Sequence, residues 1–186
     1  MATSPTRALN TLLGKASLLK KIIALITIAA FAYAWWQSTQ TITPANAPIF
    51  ANGITGTVIG VSDGDTIEVL DNQRISHRIR LAYIDAPEKS QAYGMQAKQA
   101  LSDKVYLKTV TVNVVDKDKY QRLVGQIWFN NQDINQQQIQ EGWAWFYAKY
   151  AGKFSEGNAY ASSQIQAQEG RHGLWQDLSP TAPWDY

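Results

Sequence analysis

A mainly β fold with helices packed on it, of the α+β class, is predicted by three features of this sequence. Five short runs are rich in β-branched residues or alternate apolar with polar positions, and turn-forming residues separate them. One segment between the third and fourth runs switches to an apolar spacing of four. Beyond the fifth run, further helical segments end at Gly142 and Gly170.

The chain of 186 residues begins with a basic region, residues 1–21, carrying Arg7, Lys15, Lys20 and Lys21 and no acid. Residues 22–36 then form an apolar run interrupted only by Thr27. A positive flank followed by a short apolar core is the pattern of an export signal. Extended back to Leu18, the run approaches spanning length, with Trp35 and Trp36 placed for a bilayer interface. Residues 22–36 are therefore either a signal peptide core or, if residues 18–36 stay uncleaved, a membrane anchor. Ala45-Asn46-Ala47 resembles a cleavage box but lies far from the apolar run and precedes Pro48. Either reading places the remainder outside the cytoplasm: anchored and facing the periplasm or exterior, or secreted after cleavage. Residues 37–53, rich in Thr, Pro, Ala and Asn, read as a linker.

The folded part is expected over residues 54–184. Residues 54–61 and 66–70 are β-branched strands joined by the turn Asp63-Gly64-Asp65. Residues 74–84 alternate, with Ile79, Leu81 and Tyr83 on one face and Arg78, Arg80 and Ala82 on the other. Ala97, Leu101 and Val105 mark a helix over residues 93–105. Val110, Val112 and Val114 resume a strand, and after a charged turn over residues 116–122 a fifth strand covers residues 123–129. Residues 134–141 read as a second helix with Gly142 past its end, and residues 155–169 as a third. Three strands, a helix, two strands and then helices close most simply as a five-stranded barrel of the OB type with about three helices.

Composition narrows the chemistry. The chain has no cysteine, which excludes disulfides, zinc–thiolate sites and a cysteine nucleophile. The formal charge of +2 comes from the amino-terminal region; residues 48–186 hold 13 basic and 15 acidic residues, a net −2. A slightly acidic domain binds nucleic acid through a local basic cluster or a metal, not through its overall field. His77 and His172 are isolated, without metal-ligand spacing.

Two acidic turns carry the functional signal: Asp63-Gly64-Asp65-Thr66 and Asp85-Ala86-Pro87-Glu88, the latter preceded by Arg80. Each alone is ordinary turn chemistry. Together they supply acidic oxygens that would repel one another unless a cation lay between them, and hard oxygen donors suit Ca²⁺ or Mg²⁺. Arg80 and Arg122, the second following Lys117, Lys119 and Tyr120 in one loop, suit a phosphate.

These three motifs, in this order and spacing, resemble the staphylococcal nuclease (thermonuclease) family, and Gly173-Leu174-Trp175 and Pro183-Trp184 resemble the ending of its bacterial members. The resemblance implies that Asp65 and Asp85 are direct Ca²⁺ ligands, with the carbonyl of Ala86 a third, and that Asp63 supports them. It implies that Glu88 orients or deprotonates the attacking water, that Arg80 and Arg122 hold the phosphate, and that Lys119, Tyr120 and Tyr150 line the nucleotide site. The implied activity is Ca²⁺-dependent cleavage of DNA and RNA, single-stranded or denatured substrate preferred, by a monomer leaving 3′-phosphate ends. The type member has threonine at the position of Ala86, glycine at that of Gln121, and a longer loop after the counterpart of Glu88. A catalytically silent barrel that binds nucleic acid or protein is the alternative; it would be expected to have lost an arginine or a carboxylate, and here Arg80, Arg122, Asp65, Asp85 and Glu88 are all present.

Overall fold

The computed structural model describes Ile23, Ile26, residues 50–151 and residues 157–186. The basic region 1–21, the apolar run 22–36 apart from those two isoleucines, residues 37–49 of the linker and residues 155–156 of the third expected helix lie outside the described residues. Among the described residues no helix is long and apolar enough to cross a membrane. The chain divides into two units, Met1–Ala45 and Asn46–Tyr186, and every element below belongs to the second.

Strands β1 (Gly53–Asp63), β2 (Thr66–Asp71) and β3 (Ser76–Leu81) form an antiparallel meander. Helix α1 (Gly94–Val105) carries the chain back, so that β5 (Thr109–Lys117) pairs with β1 and β6 (Leu123–Phe129) pairs with β5. The ring closes where β6 meets β3 in parallel, Ile79 to Leu123 and Leu81 to Gly125. The order β3-β2-β1-β5-β6 is the five-stranded OB-type barrel the alternation predicts. A short β7 (Gln132–Asp133) folds back as an antiparallel partner of β6, and β4 (Ile84–Asp85) pairs with β8 (Trp145–Phe146) in a separate ribbon.

The inward residues of the strands, among them Val58, Ile67, Val69, Ile79, Leu81, Val110, Val112 and Ile127, are fully or almost fully buried. Helix α1 lays Ala97, Leu101 and Val105 against them, the face its spacing predicts. Helix α2 (Ile134–Gln140) starts at Asp133, whose side chain accepts the Gln136 N–H at 3.1 Å. It stops before Gly142, which has φ +75° and lies so close to the His172 carbonyl that a Cβ would come within 2.2 Å of it. A short α3 (Ala148–Ala151) and the long α4 (Gly157–Glu169) follow, giving four helices among the described residues where about three were expected.

The expected strand over residues 74–84 is broken. β3 ends at Leu81, the chain turns through Ala82 and Tyr83, and Tyr83 takes φ +66°. Tertiary partners hold this turn: the Ala82 N–H donates to the Gly125 carbonyl at 2.8 Å, and the Ala82 carbonyl accepts from Asn135 Nδ2 at 3.0 Å. Alternation alone continues through the turn, because it does not register a hydrogen bond from a helix far along the chain. The break has a consequence for the site: it swings Ile84 and Asp85 off the barrel wall toward β8.

Candidate active site

The β1–β2 turn places Asp63 and Asp65, and register places Thr66 opposite Arg80 on β3. Gly64 between the aspartates packs against Ala86 and Ala97, so that a Cβ there would lie 2.6 Å from the Ala86 Cβ and 2.8 Å from the Ala97 Cβ. The turn therefore needs glycine for close approach, and that approach brings the two acidic turns together. Its carbonyl accepts from Gln138 Nε2 of α2 at 3.1 Å.

Asp65 is the centre of the cluster, 6 % exposed. Its Oδ2 accepts the Ala86 N–H at 2.7 Å and pairs with Arg80 Nη1 at 2.7 Å. Arg80 Nη2 donates to Asp85 Oδ1 at 2.5 Å, so one guanidinium bridges both carboxylates. Asp63 Oδ1 accepts the Asp65 N–H at 3.2 Å, a supporting position. Burial pushes the Asp65 carboxyl up to about 7; Arg80 and the Ala86 N–H pull it down, and Asp63 and Asp85 push it up. Asp85 is likewise raised, by burial first and then by the charges of Glu88 and Asp63, against the pull of Arg80. Burial works against the Arg80 charge, but Asp65, Asp85, Asp63 and Glu88 together hold its pKa above the usual value. Acidic charge exceeds basic charge at this spot.

Among the described residues no three acidic or histidine side chains gather as a complete cation cage. The donor set nonetheless fits a hard divalent ion: two carboxylates already converge on a single cationic group, and the buried one keeps an elevated pKa even with that group beside it. Asp65, Asp85 and the carbonyl of Ala86 are the residues that could hold it.

Glu88 follows in an exposed loop whose charge reaches both Arg80 and Asp85. Its backbone is bound by Gln91, whose Oε1 accepts the Glu88 N–H at 3.1 Å. Gly94 sits so close to the Glu88 carbonyl that a Cβ there would overlap it at 1.8 Å, tying the loop to the start of α1.

Arg122 enters the same rim by a different route. It lies two residues before Val124, the register partner of Arg80. Its Nε pairs with Asp118 Oδ2 at 2.6 Å, while Asp118 Oδ1 accepts the N–H groups of Tyr120 and Arg122, both at 2.9 Å. The two arginines thus sit on neighbouring chain segments and pair with different carboxylates. Gln121 adopts φ +66°, the left-handed conformation that glycine takes without strain, so this loop keeps a glycine-like backbone without glycine. Tyr120 is 68 % exposed and flanked by Lys119, with Nζ 5.0 Å from the ring centre, and by Arg122 at 5.6 Å. Tyr150 on α3 is 67 % exposed, edge-on to Tyr147. It is joined to the cluster through the Tyr147 N–H, which donates to the Tyr83 carbonyl, and through the pairing of Trp145 with Asp85.

Three supporting amides were not singled out by motif: Asn135, Gln138 and Gln91. Asn135, fully buried, accepts the Ile127 N–H and donates to the carbonyls of Ala82 and Gly125. Helical spacing holds a signal for the first two, since Asn135 and Gln138 flank the apolar positions Ile134 and Ile139. The isolated histidines are structural: His77 Nε2 meets Asp71 Oδ2 at 2.8 Å across the β2–β3 hairpin, and His172 Nδ1 lies 3.3 Å from the Gln140 carbonyl.

The fold and site thus define a small OB-type barrel with acidic turns gathered on an arginine at its rim. Residues 78–177 match the family model described as staphylococcal nuclease homologue. Among curated relatives, an uncharacterized endonuclease of Haemophilus influenzae is 42 % identical over 126 residues, 68 % of each chain. An uncharacterized endonuclease of Escherichia coli is 38 % identical over 138 residues, covering 74 % of this chain and 87 % of its own. A micrococcal nuclease of Shigella flexneri is 38 % identical over 140 residues, covering 70 % of this chain and 79 % of its own. The chain belongs to the staphylococcal nuclease family.

Proposed function

We propose that this protein is a Ca²⁺-dependent endonuclease hydrolysing DNA and RNA without regard to the sugar, and leaving 3′-phosphate ends. The observation that carries the reading is the convergence of Asp65 and Asp85, from separate turns, on the one guanidinium of Arg80. Asp65, Asp85 and the Ala86 carbonyl would hold Ca²⁺, which would supply positive charge to offset that of the phosphate.

The chain's own residues do the rest. Glu88 orients the attacking water and accepts its proton. The water oxygen forms the new bond to phosphorus while the bond to the 5′ oxygen breaks; that oxygen takes a proton from solvent, and Glu88 releases its own proton to solvent afterwards. Arg80 and Arg122 direct N–H groups at the equatorial oxygens, where negative charge grows, and stay charged at any working pH. Arg122 is oriented for this by Asp118. Tyr120 and Tyr150 present exposed rings for base stacking and Lys119 a charge for the backbone, which suits unpaired strands and gives little base selectivity. The enzyme acts as a monomer outside the cytoplasm, delivered by residues 18–36 as an anchor or by cleavage of a signal there.

The test is incubation of the full chain with denatured DNA, in Ca²⁺ or in EDTA, with analysis of product ends. Cleavage in Ca²⁺ alone, with 3′-phosphate termini, is expected. Binding without cleavage would mean a silent module. Fractionation of cells producing the full chain checks the location: activity confined to the cytosol would refute export.

A further inference from the structure

We infer that Gln91 is a positioning residue for Glu88, and that the carboxy-terminal tail sets it. The inference rests on the reading of Glu88 as the group that acts on the attacking water.

Gln91 is polar yet only 8 % exposed, and both ends of its amide are used. Its Oε1 accepts the Glu88 N–H at 3.1 Å, and the backbone N–H of Gln91 donates to the Glu88 carbonyl at 2.9 Å. Its Nε2 donates to the Thr181 carbonyl at 2.6 Å, in the tail. The Tyr186 hydroxyl lies 3.3 Å from both the carbonyl and the hydroxyl of the neighbouring Ser90, a second tie between tail and loop.

The tail is itself anchored on the other side of the site. Trp184 stacks on Tyr147, with ring centres 4.8 Å apart and planes 7° apart, and meets Trp145 edge-on at 5.7 Å. Trp145 is the register partner of Asp85. One segment therefore packs against β8, the partner of the strand that carries Asp85, and, through Gln91, holds the loop that carries Glu88. Packing does not do this alone, because a cavity of about 170 Å³ lies between loop and tail, lined by Pro87, Gln91, Tyr93, Pro180, Thr181 and Tyr186. With open space beside it, the loop is held by directed hydrogen bonds.

A misplacement of a catalytic group by about 1 Å can cost about a hundredfold in rate. The experiment measures kcat and KM of the full chain on denatured DNA in saturating Ca²⁺ for E88Q, the near-isosteric Q91M, and the double variant, with melting temperatures alongside. Q91M is expected to lower kcat by about ten- to a hundredfold with KM within about twofold, and to have almost no effect on kcat in the E88Q background. Full kcat in Q91M with a slow E88Q overturns the role of Gln91 alone, as does a Q91M effect that simply multiplies that of E88Q. Full kcat in E88Q overturns the reading of Glu88 and this inference with it. Should Q91M fail to fold, Y186F cuts the outer, exposed tie and is expected to lower kcat severalfold at constant KM; unchanged kcat there overturns the tail's part.

Discussion

Arg80 has two tasks at the residue scale. It neutralises the buried Asp65 and Asp85, and its fork is proposed to hold the phosphate. Arg80→Ala should therefore lose a hundredfold or more in rate and also lose about 3 kcal/mol of stability in EDTA, since Asp65 is left buried without its partner. Ca²⁺ should restore much of that stability but not the rate; urea unfolding with and without the ion measures it. Arg122→Ala, whose partner Asp118 is only partly buried and keeps the Tyr120 and Arg122 backbone N–H groups, should lose rate to a similar degree while unfolding near the wild-type midpoint. Full activity in that variant would refute the role of Arg122. Asp65 sets a pH dependence of definite sign. Burial pushes its pKa up to about 7, above the ordinary carboxylate value of 3.8, so the folded state binds the extra proton between those values. Stability of the metal-free chain should therefore fall as pH rises from about 4 to about 7 and level off above. Thermal melts in EDTA should show that slope in the wild type and a flatter one in Asp65→Asn.

At the element scale, α2 supports the site rather than contributing to it. Its buried face presents two amides, and they reach the two turns on which the acidic residues depend: Asn135 holds Ala82, and Gln138 holds Gly64. Asn135→Ala removes the side-chain partner of the Ile127 N–H and of the Ala82 carbonyl in the interior, while the Gly125 carbonyl keeps the Ala82 N–H, and should cost about 2–5 kcal/mol, read from urea denaturation. The same variant should weaken Ca²⁺ binding in calorimetry, because the Ala82–Tyr83 turn aims Asp85. Gly64→Ala tests the close approach of the two turns: its Cβ has no room against Ala86 and Ala97, and about 1–3 kcal/mol should be lost.

The unit Asn46–Tyr186 is built on a ring closed by one parallel pairing, β3 with β6. That closure puts Arg80 and Arg122 on one rim although 42 positions separate their numbers in the chain. It also makes stability and metal binding one equilibrium: an ion bound by the folded rim and not by the open chain raises the melting temperature in proportion to the logarithm of its concentration. Melting temperature should climb with Ca²⁺ in the wild type and stay level in Asp85→Asn. Because residues 48–186 carry a net −2, substrate affinity should depend on salt only as steeply as a few local phosphate contacts require.

The sequence by itself determined the types and order of the barrel elements, the three motifs and the two helix stops at Gly142 and Gly170. Alternation, β-branching and turn residues act over a few positions, so they can be read without the fold. The tertiary structure decided what the motifs do to one another. It broke the strand at Ala82, handed Asp65 and Asp85 to a single guanidinium, and gave Arg122 to Asp118 instead. It also buried Gln91 between Glu88 and Thr181, a contact across 90 positions. These outcomes depend on ring closure and on which polar atoms lose access to water. Both arise only when distant segments pack.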